Sequence, residues 1–146
     1  MLSYNKTTLI DIVSPLLIHM KQVLHLEDNL EYQEQVKSLI QGTQSQINSL
    51  TNLTDAINAF NQVTPDLVIT DYCLVPQTKN RDGLEFVRYI RKRDLQTPII
   101  MYSSGERHIL EMVLEAGVND FIQKDDIPNL RKILTGYLGG KNGLCV

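Results

Sequence analysis

Short apolar runs alternate along the chain with longer stretches in which apolar residues recur at helical spacing. That alternation is the pattern of βα units built on a parallel sheet. Five runs stand out. The first is Val23 to Leu26, closed by Glu27 and Asp28, and the second, more polar, is Gln46 to Leu50. The third, Leu67 to Thr70, is announced by Pro65 and Asp66 and ends at Asp71. Pro98 opens the fourth, Ile99 to Tyr102, which stops at Ser103 and Ser104; the fifth, Asp120 to Ile122, stops before Lys124.

Helical spacing fills the intervals. Leu30, Val36, Leu39 and Ile40 define a first helix with Gly42 as its stop, and Thr54 to Phe60 reads as a second. Asp82 is the expected cap of a third, with Leu84, Phe86, Val87 and Ile90 facing inward and Arg88, Arg91, Lys92 and Arg93 facing water. The fourth is expected from about Glu106 to Ala116, stopped by Gly117. The fifth lies behind Pro128 and uses Leu130, Ile133, Leu134 and Tyr137 before the glycines at 139, 140 and 143.

Composition narrows the function. A chain of 146 residues with 42% hydrophobic content suits one compact domain rather than two. The formal net charge of −3 supplies no basic field, which argues against direct DNA binding and against an anionic membrane surface. Cys73 and Cys145 are too few for a disulfide framework and have no partner at zinc spacing, so a reducing cytoplasm fits best. His19, His25 and His108 also lack metal spacing and read as surface or core residues. Leu9, Ile10, Ile12, Val13, Leu16, Leu17 and Ile18 form an apolar stretch interrupted by Asp11, Pro15 and His19. It falls short of the roughly 20 apolar residues of a membrane span.

In an open parallel sheet, ligands bind beyond the carboxyl ends of the strands. Those ends carry Glu27 and Asp28, then Asp71, then Ser103 and Ser104, then Lys124. Three carboxylates in one crevice repel one another unless a cation joins them. Magnesium is the expected cation, because it takes oxygen ligands and often binds one or two carboxylates together with a phosphate oxygen. A lysine beside it adds a point charge for a carboxylate or an incoming phosphoryl group. Only one of Ser103 and Ser104 can face the crevice, since strand side chains alternate, and Ser103 is the expected one.

These residues resemble the response regulator receiver domains of two-component signalling, over about residues 21 to 138. The resemblance rests on Leu-Glu-Asp-Asn at 26–29, Pro-Asp-Leu-Val-Ile-Thr-Asp at 65–71 and Asp-Gly-Leu-Glu-Phe at 82–86. Pro-Ile-Ile-Met-Tyr-Ser-Ser at 98–104 and Ala-Gly-Val-Asn-Asp-Phe-Ile-Gln-Lys at 116–124 complete it. Any one motif is weak; five in this order, each at a strand end or helix start, are specific. The resemblance implies a flavodoxin-like, doubly wound (βα)5 α/β fold whose five-stranded parallel sheet has the order 2-1-3-4-5. It divides the chain into an N-terminal extension at 1–20, a receiver domain at 21–138 and a tail at 139–146.

It also implies roles. Asp71 would accept a phosphoryl group from a sensor histidine kinase or histidine phosphotransfer protein. Glu27, Asp28, Asp71 and the backbone carbonyl of Cys73 would hold Mg2+. Ser103 would bind a phosphoryl oxygen, Lys124 would pair with the phosphoryl group, and Phe121 would swing inward as the switch aromatic. The changed surface would be the fourth helix, fifth strand and fifth helix. The chain would catalyse only its own phosphorylation and dephosphorylation. With no effector domain after residue 138, its output is expected through contact with a downstream protein.

Two departures from the family pattern stand out. Gly83 follows Asp71 by twelve residues where about eight is usual, which makes Gln77 to Arg81 an insertion. Lengthening a surface loop is thermodynamically mild, so a tolerated insertion and a gate for phosphate or partners both stay open. Asp125 stands where proline commonly follows the lysine, leaving Asp125 and Asp126 to compete for Lys124. Residues 1–20 are open to three readings: a helix packed on the domain, a homodimer contact or a tail.

Rival chemistries meet specific obstacles. Glu27 and Asp28 could be ordinary cap residues of the first helix. A haloacid-dehalogenase-type phosphatase needs a second aspartate two residues after the nucleophile, a position held by Cys73. A Walker site is absent, since Asn142 follows Gly140 and Lys141 and no glycine stands five residues before Gly140. A receiver-like interaction module that is never phosphorylated is the remaining alternative, against which the complete acidic set argues.

Overall fold

The computed structural model describes residues 20–74, 80–105 and 109–139. Five strands, β1 (Lys21–Leu26), β2 (Ser45–Leu50), β3 (Leu67–Thr70), β4 (Ile99–Ser103) and β5 (Asp120–Gln123), form one sheet. All four pairings are parallel, in the order β2-β1-β3-β4-β5. Five helices alternate with them: α1 (Leu30–Leu39), α2 (Leu53–Gln62), α3 (Asp82–Arg91), α4 (Leu110–Ala116) and α5 (Ile127–Leu138). This is the flavodoxin-like architecture expected from the sequence. The chain first winds from β1 to β2 and then returns past β1 to β3, so the strand order reverses between β1 and β3. That reversal opens a crevice at their carboxyl ends.

The sheet is buried on both faces, and strand alternation sorts its side chains between two apolar layers. Leu24, Leu26, Val68, Ile99 and Met101 meet Ala56, Phe60, Leu84, Phe86, Ile90 and Val113 from α2, α3 and α4. On the other face Val23, Ile69, Ile100, Tyr102 and Ile122 meet Val36, Leu130, Leu134 and Leu138 from α1 and α5. β3 and β4 are buried along their whole length, whereas the edge strand β2 is half-exposed, which is why its sequence is more polar.

Several helix boundaries differ from the sequence expectation. Leu30 opens α1 on its solvent side and is 69% exposed; Val36 and Ile40 carry the burial instead. Asp82 is the first helical residue of α3 rather than its cap. Asn80 holds that helix start, accepting from the Asp82 N–H at 2.7 Å and donating to the Asp82 carboxylate at 2.9 Å. α4 begins at Leu110, and residues 106–108 of its expected first turn lie outside the described residues. Gly117 ends it as expected, with the positive φ of 114° that glycine tolerates. The expected insertion, Gln77 to Arg81, falls outside the described residues except for Asn80 and Arg81.

His25 is a core residue, 1% exposed in β1, and neither ring nitrogen has a hydrogen-bond partner among the described residues. Burial, and then the charge of Lys124, push its imidazole down from 6.5 to about 3. The unfolded chain therefore takes up a proton near pH 6.5 that the folded chain refuses, and stability is withdrawn as pH falls below that value. By pH 5 the loss amounts to about 2 kcal/mol. Denaturant melts of His25→Leu are expected to lose correspondingly less stability between pH 7 and pH 5 than the wild type; parallel losses would contradict this account of His25.

Candidate functional site

Each strand end delivers its polar residue by main-chain bonding. The Glu27 N–H donates to the Leu50 carbonyl at 2.9 Å, the Asp71 N–H to the Leu26 carbonyl at 3.0 Å and the Lys124 N–H to the Ser103 carbonyl at 2.9 Å. The sheet's hydrogen bonding thus continues one residue past the strands before the chain turns away. Residues spaced from 27 to 124 meet in a cleft of about 300 Å³ lined by Glu27, Asp28, Tyr32, Asp71, Cys73, Ser103, Ser104 and Lys124.

Carboxylate oxygens of Glu27, Asp28 and Asp71 lie within 4.8 Å of one another. Glu27 is fully buried and Asp71 is 6% exposed, while Asp28 is half-buried. Lys124 stands between the two buried ones, its Nζ 2.7 Å from Asp71 Oδ2 and 2.9 Å from Glu27 Oε2. Burial, and then the charge of Asp71, push the Glu27 carboxyl up to about 7 despite the lysine and the Asn29 N–H that it accepts at 3.1 Å. Lys124 is shifted upward: burial opposes its charge, but bonds to Asp71 and Glu27 together outweigh that cost. With all three carboxylates ionised, one ammonium leaves two negative charges uncompensated. An all-oxygen donor set with that residual charge fits a hard divalent cation such as Mg2+.

Neither Glu27 nor Asp28 caps α1. Asn29 does, accepting from the Glu31 N–H at 2.9 Å, which leaves both acids to the cleft. Ser103 is 3% exposed and accepts the Gly105 N–H at 3.3 Å, while Ser104 is exposed. Phe121 is half-buried against the layer that contains Met101 and Val113. Cys73 lines the cleft.

Three further features shape the site. Tyr32 reaches it from α1, and Gln35 of the same helix accepts the Tyr102 hydroxyl behind it. Gly83 is pinned beside Asp71: a Cβ there would overlap the Asp71 carbonyl oxygen and lie 2.6 Å from its carbon and 2.9 Å from the Tyr72 Cα. Its N–H also donates to the Tyr72 carbonyl at 3.1 Å. The start of α3 therefore closes directly on the backbone that carries Asp71. The third feature is Asp125, whose φ of 73° places it in the left-handed region.

Two expectations follow. Gly83→Ala should destabilise the fold by at least about 2 kcal/mol in denaturant melts, because backbone rather than a flexible side chain opposes the methyl group; unchanged stability would contradict the close approach. A cation at the acidic cluster competes with the proton that Glu27 holds below about pH 7. Calorimetric titration with Mg2+ is therefore expected to show affinity about tenfold weaker at pH 6 than at pH 8. Glu27→Gln should bind more weakly and lose that pH dependence, and a wild type insensitive to pH would refute the role of Glu27.

The family model described as response regulator receiver domain matches residues 23–135. The chain is 30% identical over 104 residues to the transcriptional regulatory protein PhoP of Escherichia coli, covering 70% of this chain and 45% of that protein. It is 32% identical over 126 residues to the regulator of RpoS of the same organism, covering 81% and 35%. With the sensory transduction protein BceR of Bacillus subtilis the identity is 31% over 107 residues, covering 72% and 44%. The chain thus spans less than half the length of these relatives. Among solved structures, the receiver domain of the Francisella response regulator 1452 superposes with a TM-score of 0.68 at 19% identity, covering 80% of this chain and 95% of that one. The receiver domain of the sensor histidine kinase PA1611 from Pseudomonas aeruginosa, with a magnesium ion coordinated in its active-site cleft, gives 0.67 at 22%, covering 83% and 99%. Both structures share the fold described above, and the family model over residues 23–135 shows that the chain belongs to the response regulator receiver domains of two-component signalling.

Proposed function

We propose that this receiver domain is a phosphorylation switch in which Asp71 accepts a phosphoryl group from a phosphohistidine on a sensor kinase or phosphotransfer protein. The observation that carries the reading is the convergence of Glu27, Asp28 and Asp71 within 4.8 Å, with Lys124 bonded to the two buried members. In the transfer, an ionised Asp71 oxygen attacks phosphorus in line, the P–N bond breaks, and the histidine nitrogen keeps the electron pair. The product is an acyl phosphate.

Phosphoryl transfer asks for positioning and charge neutralisation more than for covalent chemistry by the protein. Asp71 is held by the β3 terminus, by the Tyr72 N–H on its Oδ1 at 2.7 Å and by Lys124 on its Oδ2. Glu27, Asp28, Asp71 and the Cys73 carbonyl would hold Mg2+, which supplies charge neutralisation at the phosphoryl oxygens. Ser103 donates its hydroxyl to one phosphoryl oxygen and Lys124 pairs with another. These contacts pull Ser103 and Lys124 toward a group carrying roughly 1.5 to 2 negative charges.

Ser103 ends β4 and Lys124 follows β5, so their movement is felt on the surface formed by α4, β5 and α5. Phe121 would turn inward as Ser103 moves. Leu110 and Leu114 of α4 stand 39% and 46% exposed on that surface, apolar area suited to a protein partner. Residues 21–138 constitute the switch, with 1–20 as an extension and 139–146 as a tail. The domain acts in the cytoplasm and signals to a downstream protein, catalysing only its own phosphorylation and dephosphorylation.

Intact-mass spectrometry after incubation with Mg2+ and acetyl phosphate tests the reading. The wild type should gain one phosphoryl adduct that depends on Mg2+, and Asp71→Asn should gain none. Adduct retained in that variant would sink the assignment of Asp71. No adduct in the wild type, with acetyl phosphate or a histidine kinase as donor, would favour an unphosphorylated interaction module. Lys124→Ala should blunt the spectral response of α4 and β5 to phosphorylation while changing Mg2+ affinity little, and a large loss of Mg2+ affinity would contradict that role.

A further inference from the structure

The ammonium of Lys124 donates to Asp71 Oδ2 at 2.7 Å and lies 2.9 Å from Glu27 Oε2. Its remaining side is covered by the face of Tyr32, with Nζ 4.0 Å from the ring centroid. A cation over an aromatic face is held by the ring quadrupole, and more strongly where water is excluded. The Lys124 side chain is only 6% exposed, so the ring sits where that attraction counts.

The ring is itself held in place. Its edge meets Tyr102, with centroids 6.1 Å apart and planes at 82°. Its hydroxyl reaches Asp125 Oδ2 at 3.4 Å. Tyr102 is fixed in turn: its hydroxyl donates to Gln35 Oε1 of α1 at 2.6 Å and accepts the Asp125 N–H at 3.0 Å. A proline at position 125 would have no N–H to give. The left-handed backbone at Asp125 belongs to this arrangement, which clasps α1 to the turn after β5 directly across Lys124.

We propose that Tyr32 is a positioning residue for phosphoryl uptake at Asp71. Its ring holds the Lys124 ammonium against Asp71 and forms the α1 wall of the cleft. The role deepens the reading of Asp71 as acceptor and rests on it. Tyr32 acts on Asp71 through the lysine.

The test compares wild type, Tyr32→Leu and Tyr32→Phe in two measurements on the full chain. The first is the NMR shift of the Lys124 ε-methylene protons without phosphodonor. An aromatic face above the ammonium moves them upfield, so Tyr32→Leu should return them toward ordinary lysine values while Tyr32→Phe keeps them displaced. The second is the rate of adduct formation with acetyl phosphate and Mg2+. It should fall about three- to tenfold in Tyr32→Leu and be largely restored in Tyr32→Phe. A lysine signal unmoved by Tyr32→Leu, or an unchanged rate, would overturn the proposal, as would a Tyr32→Phe variant as slow as Tyr32→Leu. If the wild type takes up no phosphate, the acceptor reading fails, and the lysine shift alone then decides whether Tyr32 positions Lys124.

Discussion

The site depends on one charge arrangement, the ammonium of Lys124 between the buried carboxylates of Glu27 and Asp71. Burial, and then the charge of Asp71, lift the Glu27 carboxyl to about 7. The lysine offsets that cost without removing it, because Asp28 adds a third carboxylate and leaves the cluster negative. A fold that keeps such a cluster at the mouth of its core holds local frustration that a divalent cation would relieve. In the proposed transfer the same lysine would pair with carboxylate before and with phosphoryl oxygen after, which would make its position the coordinate of the switch.

Everything around the cluster serves to place it. Strands buried on both faces are rigid, and their hydrogen bonding runs on through Glu27, Asp71 and Lys124. The reversal of strand order between β1 and β3 opens the crevice, and Gly83 lets α3 close on the Asp71 backbone. The α1 side is less regular. There Tyr32, Gln35 and Tyr102 hold the turn at Asp125, and that turn carries the lysine.

Most of the fold was legible because parallel strands buried on both faces leave unbroken apolar runs, as at Leu67 to Thr70 and Ile99 to Tyr102. The strand-end residues that the sequence marks are the ones the fold assembles, since topology sends all those ends to one edge. Local capping was less legible. Asn80, Asp82, Asp28 and Asn29 are all chemically able to cap, and the choice among them depends on backbone geometry that spacing does not reveal. Leu30 matches a helical period yet faces water, because the period does not say which turn lies over the sheet. His25 reads as an unremarkable residue until its burial is known, and Tyr32 reads as one of six tyrosines until α1 is laid across Lys124.

Paramagnetic NMR with Mn2+ in place of Mg2+ is the measurement that decides whether Glu27, Asp28 and Asp71 form a divalent-cation site. At substoichiometric Mn2+ the account predicts selective broadening of amide signals after β1 and β3, centred on residues 27–29 and 71–73, reversed by excess Mg2+. Broadening centred instead on Asp125 and Asp126, or spread evenly over the acidic surface, would contradict it.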